Sequence, residues 1–143
     1  MGSDRQDILD LVQYSLGRKR KTFGHGFESG YHTLELDGVG VEGQRDITAR
    51  LAAMNYSFDG KVVLDIGCNI GGMLHALSGR IKCGVGIDNQ YKVINAANRI
   101  ASIRKENTTR FYVFDLVEDD WGILSKLCQD TYDVVLFLSM ALW

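Results

Sequence analysis

The residues best suited to chemistry in this 143-residue chain are acids and glycines that stand where apolar runs end. Val62-Val63-Leu64 leads into Asp65-Ile66-Gly67-Cys68-Asn69-Ile70-Gly71-Gly72. Glycine at such a turn lets backbone approach a ligand and adopt positive φ, and asparagine tolerates left-handed geometry well. A dinucleotide site asks for G-x-G-x-x-G. Gly67 and Gly72 fit, but Asn69 occupies the middle position. Asp65 would also oppose a pyrophosphate, so the turn suits a ligand with a cationic amine. A second apolar run, Cys83 to Ile87, ends in Asp88-Asn89. Asp88 lies 23 residues beyond Asp65, near the spacing at which an acid reaches ribose hydroxyls. A third run ends in Phe114-Asp115-Leu116, where an acid can meet the exocyclic amine of a base. A fourth ends in Leu138-Ser139. Four strand ends thus form one wall facing amine, ribose, base and reacting edge.

Each of these residues has a plainer reading. Asp65 can cap a helix, Asp88 can terminate a strand, and Asp115 can sit in a surface turn. Cys68 has no evident His partner, and its small side chain suits the turn, so a nucleophilic role is not expected. Three histidines without HxH or HExxH do not suggest a metal site. Tyr31 and His32 suit either ligand contact or packing. Gln44 and Arg45 could hold a ligand carboxylate from a lid, or lie on the surface. Arg18 to Lys21 is a solvated basic run or a phosphate-contacting patch. Trp121 and Trp143 read as core. No catalytic residue is identified.

The elements that must carry these residues follow from periodicity. Gln6 to Leu16 reads as an amphipathic helix with Ile8, Leu11 and Val12 on one face and Ser3 or Asp4 as its cap. Thr22 to Gly43 is Gly-rich and aromatic, an ordered loop or short hairpin with Tyr31 to Leu36 a strand. Ile47 to Met54 is a short helix behind Asp46. Strands follow at Val62–Asp65, Cys83–Ile87, Arg110–Phe114 and Asp133–Leu138. Between them lie helices at Gly72–Ser78, Tyr91–Ile103 and Trp121–Leu127. Short apolar strands alternating with helices imply a parallel sheet covered on both faces. The expected organisation is a leading segment, 1–59, that covers the site, and an α/β core, 60–143.

Composition is consistent with one globular domain: 45% hydrophobic, 24% charged and a net charge of −2. That balance does not suggest a strongly basic nucleic-acid binder. Three cysteines, without a CxxC pair, fit neither a disulfide framework nor a four-ligand zinc site, so a reduced, cytoplasmic setting is expected. The longest apolar run is too short to span a bilayer, so no membrane partner is expected. Proline is absent, where an average chain of this length would hold about seven.

The order V-L-D-I-G-C-N-I-G-G, G-V-G-I-D, F-D-L and Y-D-V-V-L-F-L-S resembles the class I S-adenosylmethionine-dependent methyltransferases, over about Lys61 to Ser139. The resemblance implies a Rossmann-like fold with strand order 3-2-1-4 and S-adenosylmethionine as cofactor. It implies that Asp65, Gly67, Cys68, Asn69 and Gly71 lie beside the methionine part. Asp88, with Asn89, would hold the ribose, Asp115 and Leu116 would flank the adenine, and Leu138 would end the fourth strand at the site. Asn69 stands where the family often has glycine. Tyr31 to Leu36 with Gly43 and Asp46 looks like the lead-in of tRNA wobble-uridine oxyacetate-type enzymes. The G-C-N turn with Leu138-Ser139 and Trp143 looks like the RNA 5′-phosphate-capping methyltransferases, although Leu142 replaces their lysine. The implied activity is methyl transfer to a small molecule or RNA. The alternatives are a silent cofactor-binding module acting through a partner and, less favoured, a nucleotide-dependent dehydrogenase. The family has seven strands and this chain supplies four. A fragment is therefore expected, with its fourth strand open to self-association.

Overall fold

A computed structural model describes residues 2–16, 29–36, 39–128 and 130–138. The elements in chain order are α1 (Gly2–Ser15), β1 (Ser29–Leu36), β2 (Val39–Asp46), α2 (Ile47–Met54), β3 (Val62–Ile66), α3 (Gly72–Leu77), β4 (Cys83–Asp88), α4 (Tyr91–Ile103), β5 (Thr109–Val113), a 3-10 helix (Trp121–Lys126) and β6 (Val134–Leu136). β3 to β6 form one parallel sheet in the order β5-β4-β3-β6. Numbered among themselves these strands run 3-2-1-4, the expected methyltransferase-type Rossmann arrangement. The chain enters the sheet at β3, winds outward to β5, and returns to the other side of β3. Ligands of such sheets bind beyond the carboxyl ends of the strands near that reversal.

β3 is buried along its whole length. A strand covered on both faces needs apolar side chains in both directions, and that is why Val62-Val63-Leu64 reads as a continuous run. Side chains alternate across the sheet. Val63 joins a core with Leu74, Ile100, Phe111 and Leu136 on one face, whereas Leu64 and Ile66 join Val85, Ile87 and Phe114 on the other. β6 is registered against β3 by a reciprocal pair. The Val62 N–H donates to Asp133 Oδ2 at 2.8 Å, and the Asp133 N–H donates to the Val62 carbonyl at 2.8 Å.

The leading helices share the first of these cores. Ile8 and Val12 of α1 and Ile47 of α2 are buried with Val63 and Leu74. α1 lies along α4, where Asn95 Nδ2 donates to Tyr14 Oη at 3.1 Å. α2 begins at Asp46, whose Oδ1 accepts from the Ala49 N–H at 3.1 Å. This helix ends at Asn55 in the left-handed region.

Several expectations are corrected. The short hairpin expected within Thr22 to Gly43 is present, with different limits: its first strand, β1, starts at Ser29 ahead of Tyr31, and its antiparallel partner β2 runs past Gly43 to Asp46. That second strand has too many glycines to show an apolar alternation. α1 starts at Gly2, so Asp4 lies in its first turn and is not its cap. Trp121–Lys126 winds as a 3-10 helix, with Asp120 Oδ1 accepting from the Gly122 N–H at 2.8 Å. Trp121 is not core but 52% exposed. Its indole N–H donates to the Leu116 carbonyl at 2.9 Å, and its ring meets Phe114 edge-on. The fourth strand spans only Val134–Leu136 and pairs with β3 alone among the described residues.

Candidate functional site

The turn after β3 is the most constrained backbone among the described residues. Gly67, Asn69 and Gly71 take φ of 73°, 53° and 84°. At Gly71 a Cβ would stand 2.5 Å from Phe111 Cε1 and 3.0 Å from His75 Nε2, so the position excludes a side chain on two counts. The amides of the turn are all turned inward. Gly67 and Cys68 N–H donate to the Ile87 carbonyl at 2.9 and 3.0 Å, and Gly71 N–H donates to the Cys68 carbonyl at 2.9 Å. The Asn69 N–H donates to Asp88 Oδ2 at 3.0 Å, and the Ile70 N–H to Asn69 Oδ1 at 2.8 Å. No amide from Gly67 to Gly71 is left for a ligand anion. Asn69 therefore closes the turn through its side chain as well as its φ.

Two carboxylates lie beneath and beside this turn. Asp65, the last residue but one of β3, is 4% exposed, and no described residue hydrogen-bonds its carboxylate. Burial raises its pKa from 3.8 to about 7, the charge of Asp88 adds to the rise, and Arg50 of α2 opposes it. Asp88, at the end of β4, is half-buried. Its pKa is raised by burial, against the amides of Gln90, Asn69 and Asn89, which favour the carboxylate. A buried acid without a hydrogen-bond partner costs stability unless something cationic meets it. Cys68 is fully buried and donates its thiol to the Asn69 carbonyl at 3.4 Å. Burial and the two nearby aspartates push its pKa well up, which makes it a poor nucleophile.

Beyond the strand ends lies a crevice of about 180 Å³ lined by Ile66, Gly67, Ile87, Asp88, Asn89, Phe114, Asp115, Leu116 and Val117. That is smaller than the roughly 300–1,000 Å³ of a complete ligand pocket, so it suits a nucleoside-sized part of a ligand. Its floor is apolar, and its two carboxylates come from the ends of different strands. Asp115 Oδ1 accepts from the Val117 and Glu118 amides at 2.8 and 3.1 Å. Its plainer role as a turn-former is therefore real, and no described donor engages Oδ2.

The structure brings Gly67, Asp88, Asn89, Asp115 and Leu116 together in this crevice. Cys68, Asn69 and Gly71 form the turn above it. Asp65 lies on the face of β3 opposite Ile66 and does not line the crevice. Leu138 packs against the core and does not line it either. Arg18 to Lys21, His25, Ser139 and Trp143 lie outside the described residues. Tyr31 and His32 are on β1, and Gln44 and Arg45 are on β2.

Sequence reasoning missed the apolar floor and one buried network. Ile66, Ile87 and Phe114 read simply as strand core, although each is the last apolar residue before a turn. His75 of α3 is 1% exposed and sits among Met73, Leu74 and Leu77. A lone polar residue inside a buried helix was the available signal. Among the described residues no group of three His, Cys, Asp or Glu is placed to hold a metal ion. No described helix is long and apolar enough to cross a membrane.

No protein-family model matches the chain, and no curated protein matches it. Solved structures do. The N-terminal domain of EvdMO1 with SAH bound is 17% identical and superimposes with a TM-score of 0.60, over 93% of this chain and 51% of that one. EvdMO1 itself is 17% identical and gives 0.57 over 93% of this chain and 27% of that one. A dimethyladenosine transferase from Plasmodium falciparum is 19% identical, with a TM-score of 0.48 over 62% of this chain and 29% of that one. The chain thus has the fold of an SAH-binding domain and spans about half of that domain's length.

Proposed function

We propose that the chain binds S-adenosylmethionine and is a methyltransferase or the cofactor-binding part of one. The observation that carries this is the pairing of a buried carboxylate that has no described hydrogen-bond partner, Asp65, with a turn whose amides are already consumed. A pyrophosphate needs free amides and repels carboxylates. A zwitterionic amino acid carrying an amine and a sulfonium is drawn to acids. The same contrast disfavours a nucleotide-dependent dehydrogenase. In this reading Asp65 and the turn, with Gly67, Cys68, Asn69 and Gly71, lie at the methionine end. Asp88 and Asn89 accept the ribose hydroxyls. Asp115 Oδ2 and Leu116 flank the adenine over Ile66, Ile87 and Phe114. The segment 1–59 covers the site, and Arg50 of α2 already acts on Asp65.

When bound, the cofactor supplies a methyl group on a positive sulfur that is its own leaving group. This chain's residues would then only orient the reactants and exclude water. The acceptor belongs to the whole protein, and a small molecule or RNA fits this reading equally. Calorimetric titration with S-adenosylhomocysteine and, separately, NADH tests the proposal. Heat with the first alone is expected, and heat with NADH alone overturns it. Methyl transfer to pooled small acceptors or RNA separates an enzyme from a silent binding module.

A further inference from the structure

The turn that shapes the site is held from below by a buried ion-pair chain. His75 Nε2 lies 2.8 Å from the Ile70 carbonyl. A carbonyl only accepts, so Nε2 carries a proton and donates. Nδ1 faces both oxygens of Glu106, at 3.0 and 2.9 Å, which orients the ring. Glu106 in turn accepts from Arg104 Nη1 at 2.6 Å and from Thr109 Oγ1 at 2.6 Å. Burial works against the Glu106 carboxylate, but its hydrogen bonds to His75 and Thr109 and the charges of His75 and Arg104 outweigh it, and its pKa is lowered. The side chains of His75 and Glu106 are 0% and 3% exposed. Phe111, which closes against Gly71, also lies 5.2 Å from the His75 ring. The chain Arg104–Glu106–His75–Ile70 therefore runs from the end of α4 and the start of β5 directly into the turn.

We propose that His75 is a positioning residue that fixes the Ile70 carbonyl, and through it holds the 67–71 turn in the shape that receives the cofactor. This rests on the reading of that turn as an S-adenosylmethionine site. Packing alone does not account for the arrangement, since an apolar side chain would fill the same space among Leu74, Leu77 and Phe111. Every amide of the turn is tied to the turn itself or to β4; the backbone joins the turn to α3 through the His75 N–H on the Gly71 carbonyl at 2.8 Å, and the Ile70 carbonyl adds the side-chain link through His75 to Glu106.

Three variants test it. His75→Leu removes the donor at similar volume. His75→Gln keeps an N–H near the Nε2 position. Thr109→Val weakens the support of Glu106 without touching the turn. Hydrogen exchange is read on peptides covering 67–72, and S-adenosylhomocysteine affinity by calorimetry. His75→Leu is expected to expose those amides and to weaken binding about tenfold, which is about 1.4 kcal/mol. His75→Gln should restore both to within about threefold, in line with one retained hydrogen bond. Thr109→Val should lower the melting temperature and leave both readouts unchanged. Wild-type exchange and affinity in His75→Leu would overturn the inference. So would equal loss of affinity in Thr109→Val, because stability alone would then explain it. If wild type binds no S-adenosylhomocysteine, the cofactor reading fails, and the exchange pattern alone upholds or overturns the anchor. Should His75→Leu not fold, His75→Asn, whose amide does not extend to the Nε2 position, is read in its place.

Discussion

Replacing Asp65 by asparagine should change stability by an amount that depends on pH, the variant gaining on the wild type as pH rises. Asp65 is buried at 4% exposure with no described hydrogen-bond partner, and its pKa rises from 3.8 to about 7 in the folded chain. A raised folded pKa in an acid means that folding favours the protonated form. The cost is therefore nil below about pH 4 and grows until the folded group ionises near pH 7. At about 1.36 kcal/mol per pH unit, the difference between 3.8 and about 7 amounts to roughly 4 kcal/mol at full ionisation. The same relation leaves about 2 kcal/mol at pH 5 and about 4 kcal/mol at pH 8. Asp65→Asn removes the titration but adds amide donors, and these shift stability by a constant amount. The difference between the two pH values is free of that constant, so Asp65→Asn should gain about 2 kcal/mol more at pH 8 than at pH 5. Urea denaturation of both proteins at both pH values measures this. Asp88 titrates with the same sign but is present in both proteins, so it largely cancels. A stability difference that does not change with pH would refute the claim that Asp65 is a strained buried acid. The functional counterpart follows from the same charge. A cationic amine should bind the ionised form, so S-adenosylhomocysteine affinity should rise from pH 5 to pH 8 in the wild type and stay flat in Asp65→Asn.

Other outcomes follow from single contacts. Asp88→Ala should weaken S-adenosylhomocysteine binding by about tenfold to a hundredfold, the loss of charged hydrogen bonds worth roughly 1.5–3 kcal/mol; unchanged calorimetric affinity would remove the ribose assignment. Gly71→Ala should destabilise by about 2–4 kcal/mol, from left-handed strain and overpacking against Phe111, and a melting temperature equal to that of the wild type would contradict the tight approach. Cys68 is buried with a raised pKa, and burial with the neighbouring Cys128 thiol brings Cys83 to about 11; neither should react quickly with a thiol reagent at pH 7.5 until the protein is unfolded. Val135 and Phe137 are each 54% exposed beside the edge of β6 that pairs with no described strand, so sedimentation should show association that grows with concentration; a monomer at every concentration would count against strand pairing between copies.

Much of the fold was legible because it rests on local regularities. Val62-Val63-Leu64 and Cys83 to Ile87 announce strands buried on both faces, and Tyr91 to Ile103 carries a helical stripe, found with the same limits. The meeting of Asp88 and Asp115 at one crevice was legible because strand ends in a parallel sheet converge, and each acid ends an apolar run. Asp65 is legible as the acid that closes the first apolar run, but not the face of the sheet it occupies. The pleat decides that face. Its side chain alternates with Leu64 and Ile66, so it lies on the far face, and only the register of β3 shows this.

What the sequence determined by itself is the order of elements and the chemistry available at their ends, since both depend on spacing within a few residues. What tertiary structure decided is which polar groups are already spent. The amides of Gly67, Cys68 and Asn69 are consumed by Ile87 and Asp88, which lie about twenty residues downstream. Likewise His75 finds Glu106 31 residues away. No local pattern encodes such pairings, because they form only when β4 and β5 are laid beside β3. Asp65 is left as a buried acid with no hydrogen bond from any described residue because the same packing that surrounds it places no donor against it.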